Sequence, residues 1–288
     1  MNNILCFGEI LWDAFGYEKV AGGAPMNVAR HLAQQGANVS FASRVGNDES
    51  GAGLIDFLKS GGLYSNLIQT DDQLPTCEVT VQLDKDGHAT YVFPEAVSWD
   101  NIQPEPELTT AAKQATAIIY GSLACRRTTT RETLISLLKE TKALKVFDVN
   151  LRPPHYTKET LEMLMKPADV IKMNDDEADL LAGLDGSDLE EKIILFQKKY
   201  RAKVICITRG ANGAIVWQNG EFFEHPGFKV KVVDTVGAGD SFLATFINGL
   251  LNNLPMPQIL ERACKVGAFV AGKRGANPKY DESILKMF

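Results

Sequence analysis

Short apolar runs alternate with amphipathic patterns over most of the 288 residues, and this alternation constrains the fold more than any other feature. The runs Ile4–Gly8, Val39–Arg44, Ala117–Gly121, Lys145–Val149, Val170–Met173, Val204–Thr208, Ala214–Gln218 and Lys229–Val233 read as strands. Several are rich in Val and Ile and apolar on both faces, as in strands buried within a parallel sheet. Helical patterns lie between them. In "APMNVARHLAQQG", Pro25 sits in the first turn, Val28, Ala29, Leu32 and Ala33 share a face, and Gly36 marks the stop. Further helices are predicted near Thr130–Thr141, Asp175–Ala182, Asp188–Tyr200, Asp240–Leu251 and Pro257–Lys273. The expected fold class is α/β, a doubly wound, mostly parallel sheet with helices on both faces.

One region breaks the rhythm. In "TCEVTVQLDKDGHATYVF", Cys77, Val79, Val81 and Leu83 alternate with Glu78, Thr80 and Gln82. Asp86-Gly87 marks a turn, and Ala89, Tyr91 and Phe93 resume the alternation. This predicts a hairpin with one covered face. The segment Leu11–Val20 also fails to read as a helix and is placed to pair with it. Such a small sheet would project from the main domain, as a lid or as a dimer surface.

Charge and cysteine usage narrow the function classes. Thirty basic against 36 acidic residues give a net charge of −6, and no Lys/Arg run offsets it, so no nucleic-acid partner is expected. The five cysteines are scattered, without CxxC or Cys/His spacing, which points to reduced buried thiols rather than disulfides or zinc. No run approaches the ~20 apolar residues of a membrane span, and the N-terminus lacks a signal-peptide pattern. A cytoplasmic protein is expected. There is no GxxxxGK[ST] loop, no GxGxxG after the first strand, and no histidine pairing with a nucleophile motif.

Four segments carry polar or glycine-rich patterns at strand ends, the functional edge of an open α/β sheet. In "GGAPMNVA", Gly22 and Gly23 precede a helix that carries Asn27, with Asp13 upstream; an ordinary loop and cap would read the same way. In "FDVNLRPPHY", Asp148, Asn150 and Arg152 leave a central strand. In "KMNDDEA", Asn174 and Glu177 stand three apart where a helix begins. That spacing fits a capping box, or a carboxylate and an amide beside a hydrated cation. Finally, "VDTVGAGDSF" runs from a strand through Gly237-Ala238-Gly239 into a helix whose first turn holds Asp240. A glycine turn at a helix N-terminus suits an anion, so the aspartate there requires a separate purpose.

In this order, "GGAPMNVA", "NDDE", "TRGANGA" at Thr208–Ala214 and "DTVGAGDSF" resemble the ribokinase-like (PfkB) carbohydrate kinase family over nearly the whole chain, and "GGAPMN" with "DVNLRP" is most similar to its bacterial fructokinase branch. The resemblance implies a single kinase domain over 1–288, with a lid from about 11–24 and 74–100. It implies ATP-dependent phosphorylation of a sugar primary hydroxyl, with D-fructose giving fructose 6-phosphate. Ribose, a sugar acid or a nucleoside as acceptor, or a non-catalytic binding protein, are the alternatives. Asp240 would be the catalytic base and Gly237, Ala238 and Gly239 the anion hole. Asp13, Gly23, Asn27, Asn150 and Arg152 would face the sugar. Thr208, Gly210, Gly213 and Asn277 would lie beside ATP together with Asn174 and Gly239. Asn174 and Glu177 would organise Mg²⁺ through water, and many members bind a monovalent cation such as K⁺ near Asp234 and Arg274–Gly275. A homodimer through the lid is expected. "YVFPEAVSWDN" departs from the Arg-containing pattern of many fructokinases, with Glu95 and Trp99 in its place.

Overall fold

The computed structural model describes residues 2–15, 18–63, 66–83, 89–183 and 188–288, without the side chains of 15, 81–83 and 89–91. Numbered along the chain, the strands are β1 (Asn3–Phe7), β2 (Leu11–Phe15), β3 (Glu18–Gly22), β4 (Asn38–Gly46), β5 (Ile68–Asp71), β6 (Glu78–Leu83), β7 (Ala89–Val92), β8 (Ala117–Gly121), β9 (Leu144–Asp148), β10 (Val170–Asn174), β11 (Val204–Thr208), β12 (Ala214–Gln218) and β13 (Glu221–His225). The helices are α1 (Ala24–Gln34), α2 (Glu49–Ser60), α3 (Pro106–Gln114), α4 (Thr128–Glu140), α5 (Lys158–Met165), α6 (Asp175–Ala182), α7 (Leu189–Tyr200), α8 (Ala238–Leu251), α9 (Met256–Ala271) and the short α10 (Glu282–Leu285).

Among the described residues the main sheet has nine strands in the order β13-β12-β11-β10-β9-β8-β1-β4-β5. It is parallel from β5 through β11 and antiparallel only at β12 and β13. Successive strand residues serve opposite cores, because side chains alternate across a pleated sheet. Leu5, Phe7, Ile118, Phe147 and Ile171 pack into one cluster, whereas Ile4, Cys6, Ile119, Val146 and Val170 pack into the other. This two-sided burial explains the near-continuous apolar runs and confirms the doubly wound expectation. All five cysteines are buried and unpaired. The chain leaves β1 first toward β4 and β5, then returns to build β8 onward on the other side. The sheet therefore has a switch point between β1 and β8, and a crevice opens beyond their carboxyl ends.

The anomalous segments form a second sheet in the order β3-β2-β6-β7. Its strands fall within 11–24 and 74–100, and β2 pairs with β6 in parallel. The expected turn at Asp86-Gly87 lies outside the described residues. Cys77 and Val79 are buried on one face, as the alternation requires. On the other face Trp12 packs edge-on against Phe57 of α2, and its Nε1 donates to the Ser50 carbonyl at 3.0 Å.

Two sequence expectations change. Lys229–Val233 is not a strand; its valines at 230, 232 and 233 are exposed. The sheet edge is taken instead by β13, which pairs with β12 through the two-residue turn Asn219-Gly220, both at positive φ. Asn-Gly is favoured in such turns because both residues tolerate the left-handed region, and this signal decides the last strand. The helix α2, capped by Asp48 accepting from the Gly51 amide, is masked in the sequence by Gly51 and Gly53. The segment with Glu95 and Trp99 also resolves plainly: Trp99 is fully buried beneath the Arg126 guanidinium, 4.4 Å from its ring centroid, while Glu95 is exposed.

Candidate active site

A cleft of about 1350 Å³ runs along the carboxyl ends of the central strands, between the small sheet and the N-terminus of α8. Each strand delivers residues where it stops: Glu9 after β1, Asn150 to Arg152 after β9, Asn174 at the end of β10 and Thr208 at the end of β11. The cleft also takes in Asp13, Gly23, Asn27, Gly210, Gly213 and the run Gly237-Ala238-Gly239-Asp240. The chain thus gathers nearly every residue singled out from sequence.

Gly237 caps α8 at φ 78, and a Cβ there would meet Ala276 backbone atoms at 2.5 and 2.6 Å. Glycine is therefore required for the turn itself. Gly239 differs: a Cβ there would meet only Lys172 Nζ, at 3.5 Å. The backbone of the first α8 turn is left open toward the cleft with an ammonium beside it. Helix-start amides and a lysine together form a receptor for an anion.

Asp240, in the same turn, is held by a side-chain hydrogen bond. Its Oδ2 accepts from Asn27 Nδ2 at 2.8 Å, and Asn27 Oδ1 accepts from Asn277 Nδ2 at 2.6 Å. Asn277 is not among the cleft-lining residues; it reaches the cleft through its hydrogen bond to Asn27. Burial, with repulsion from Asp148, raises the Asp240 carboxyl to about 6, although the Asn27 hydrogen bond, Lys172 and Arg152 oppose this. Lys172, absent from the sequence-based candidates, is 7% exposed and donates to Asp148 Oδ1 at 3.0 Å. Burial works against its charge, but Asp148, Glu177 and Asp240 outweigh it and hold its pKa above the ordinary value. The signal for it was a charged residue inside the apolar run of β10.

Asn174 and Glu177 form a reciprocal capping box: Asn174 Oδ1 accepts from the Glu177 amide at 2.7 Å, and Glu177 Oε2 from the Asn174 amide at 2.9 Å. The remaining Glu177 oxygen accepts from the Leu151 amide at 2.7 Å, which ties β10 to the loop after β9. Glu177 does not line the cleft, whereas Asn174 and its neighbours Asp175 and Asp176 do. Among the described residues no group of three or more His, Cys, Asp or Glu side chains is placed to hold a metal.

The cleft also holds a residue missed from sequence. Glu9 is 2% exposed, and burial raises it to about 7. Asp13 is raised to about 6, again by burial, with Arg152 opposing. The signal for Glu9 was an acidic residue two positions beyond the buried strand in "LCFGE".

These carboxylates set a pH dependence of stability. Their folded pKa values exceed the unfolded ones, so the stability they contribute is fully present below about 4 and is lost as pH rises through 6–7. His31 opposes this below its ordinary value, because burial lowers it to about 4. The ligand-free Tm is expected to be higher at pH 6 than at pH 8 by roughly 3 °C. Differential scanning fluorimetry checks this; a flat or opposite slope would contradict ionised carboxylates buried at these positions.

A family profile described as pfkB family carbohydrate kinase matches residues 2–282. The chain belongs to the pfkB family of carbohydrate kinases. It is 31% identical over 307 aligned residues to "Probable fructokinase-7" of Arabidopsis thaliana, covering 96% of this chain and 88% of that one. A structure of the sugar kinase PH1459 from Pyrococcus horikoshii in complex with ATP superposes with a TM-score of 0.82 at 27% identity, covering 95% and 94% of the two chains. Fructokinase from Vibrio cholerae O395, in a form with fructose, ADP and calcium bound, matches at TM-score 0.84 and 24% identity over 100% and 99%, a likeness of fold. The fold is ribokinase-like, and this pfkB kinase is a phosphotransferase. Among its described residues no helix is long and apolar enough to cross a membrane.

Proposed function

We propose that this pfkB kinase transfers the γ-phosphoryl group of ATP to the 6-hydroxyl of D-fructose. The observation that carries this reading is the division of labour at the start of α8. Open backbone at Gly239 lies beside Lys172, and the Asp240 carboxylate, oriented by Asn27, lines the same cleft as Asp13, Asn150 and Arg152. The ATP, ADP and fructose in the relatives' structures support the choice of partners.

Asp240 accepts the hydroxyl proton as the sugar oxygen bonds to the γ-phosphorus and the bond to the bridging oxygen breaks, releasing ADP. The amides of Gly237 to Gly239 and the Lys172 ammonium oppose the charge on the transferring group. Thr208, Gly210 and Gly213 line the cleft where the nucleotide would lie, and Cys264 and Ala268 of α9 add apolar lining to the same cleft. Asp13, Gly23, Asn150 and Arg152 flank the sugar. Mg²⁺ would be held through water by Asn174 and the neighbouring cleft carboxylates Asp175 and Asp176, and would neutralise phosphate charge; Glu177, whose oxygens accept from the Asn174 and Leu151 amides, would act by fixing this loop. This fits a site without a three-residue ligand cluster, since Mg²⁺ keeps several waters. The small sheet acts as the lid that excludes water, which would otherwise compete as acceptor.

The test is ADP release with ATP and a panel of fructose, ribose, a sugar acid and a nucleoside. Fructose-dependent turnover is expected, with phosphate on the primary carbon by NMR. Turnover with another acceptor alone would replace the sugar, and nucleotide binding without turnover on any acceptor would refute the kinase reading.

A further inference from the structure

Glu9 has no part in the transfer just described, yet it is the most anomalous polar residue of the cleft. It follows β1 at the switch point of the sheet and lies under the Gly22-Gly23 turn, where a Cβ on Gly23 would stand 2.4 Å from its carbonyl oxygen. Backbone amides of Glu9 itself and of Ala24 stabilise its carboxylate. Its Oε2 is nevertheless buried without a hydrogen-bond partner, although the residue lines the cleft. Buried carboxylate oxygens are nearly always hydrogen-bonded, so this one calls for a donor.

The surroundings define the donor. Arg152 is the common counter-charge of Glu9, Asp13 and Asp240. Its guanidinium, however, donates to the Leu151 carbonyl at 3.2 Å and, among the described residues, forms no ion pair with any of the three. Three carboxylates and one guanidinium thus border a shared space without closing on each other. Lys172 leaves the surplus at these carboxylates in place, since it pairs with Asp148 and stands beside Gly239. A hydroxyl group suits such a space because it gives one hydrogen to a carboxylate and accepts another from a guanidinium. An anionic acceptor would add like charge to a surplus that is already negative.

We propose that Glu9 is a third acceptor-binding carboxylate, which takes a hydrogen from a hydroxyl of an uncharged polyol and helps exclude acids and phosphorylated sugars as acceptors. The proposal rests on the sugar-kinase reading and fails separately from it. The test is steady-state kinetics of wild type and Glu9→Gln, varying fructose and ATP in turn, with Tm measured alongside. The amide keeps the size of the side chain and weakens its acceptance. KM for fructose is expected to rise roughly 10–100-fold, with KM for ATP and kcat changed less than about threefold. A sugar acid is expected to compete better with fructose in the variant than in wild type. An unchanged KM for fructose in the folded variant would overturn the proposal. So would equal rises in both KM values with a lowered Tm, which mark a merely structural role. Should Glu9→Gln fail to fold, Glu9→Asp, which withdraws the oxygens by one methylene, must show the same split. Absence of wild-type turnover with every neutral sugar would instead bring down the kinase reading, and this inference with it.

Discussion

Replacing Asp240 with asparagine is expected to lower kcat by about three orders of magnitude, the range for losing a positioned general base. The substitution is close to isosteric. An asparagine carbonyl can accept from Asn27 Nδ2 as Oδ2 does now at 2.8 Å, so the Asn277–Asn27 chain behind it stays in place. The variant also loses the repulsion between Asp240 and Asp148, which contributes to the raised Asp240 pKa. Its Tm at pH 8 should therefore equal or exceed that of the parent. Binding of both substrates should change only a few-fold, because what disappears is the proton acceptor rather than the cleft. Rapid-quench or coupled ADP assays give kcat, and melting gives the control. A variant that keeps more than a tenth of the parental kcat would remove Asp240 from the role of base. The same base predicts an acidic limb in the rate, falling as pH drops below about 6, where Asp240 binds its own proton.

Lys172→Met is expected to be the most damaging single change to stability and activity together. Lys172 Nζ lies 3.0 Å from Asp148 Oδ1, and both side chains are almost wholly buried. Removing the ammonium leaves a buried carboxylate without its partner, and Oδ2 of Asp148 already lacks a hydrogen bond. Breaking a buried pair in this way costs about 3–5 kcal/mol, or roughly 10 °C in Tm for a chain of this size. Turnover should fall as well, because the charge beside Gly239 is gone. The double variant Lys172→Met, Asp148→Asn separates the two effects. It removes the unpaired charge and should recover most of the Tm, yet it cannot restore turnover. Recovery of both would show that Lys172 acts only through the fold, and recovery of neither would show that Asp148 has a further role.

The legibility of this chain was uneven for physical reasons. Strands buried on both faces are apolar almost throughout, so β1, β8, β11 and, apart from Lys172, β10 stood out in the sequence. Strict alternation likewise exposed β6, which is covered on one face only. The turn glycines and polar residues at strand ends pointed to the crevice, because an open α/β sheet places its ligand there. The last strand was misplaced because the alternation in Lys229–Val233 imitates a strand, whereas Asn219-Gly220 fixes where the hairpin actually turns. The contact that Asn277 makes could not be read from the sequence. Its partner Asn27 lies 250 residues away, and nothing local announces the contact.

The alternation of strands and helices and most of the polar residues of the cleft were legible in the sequence alone, because periodicity, glycine turns and helix starts are local properties, and the motifs at those turns carried the resemblance to the family. The tertiary structure decided the state of those residues. It made Glu177 a capping residue with its oxygens taken by backbone amides, made Lys172 the buried partner of Asp148, and left one oxygen of Glu9 without a donor. Each of these depends on which distant groups share a dehydrated space. Charge and hydrogen-bonding demand are set by neighbours in three dimensions, and a linear pattern does not name them.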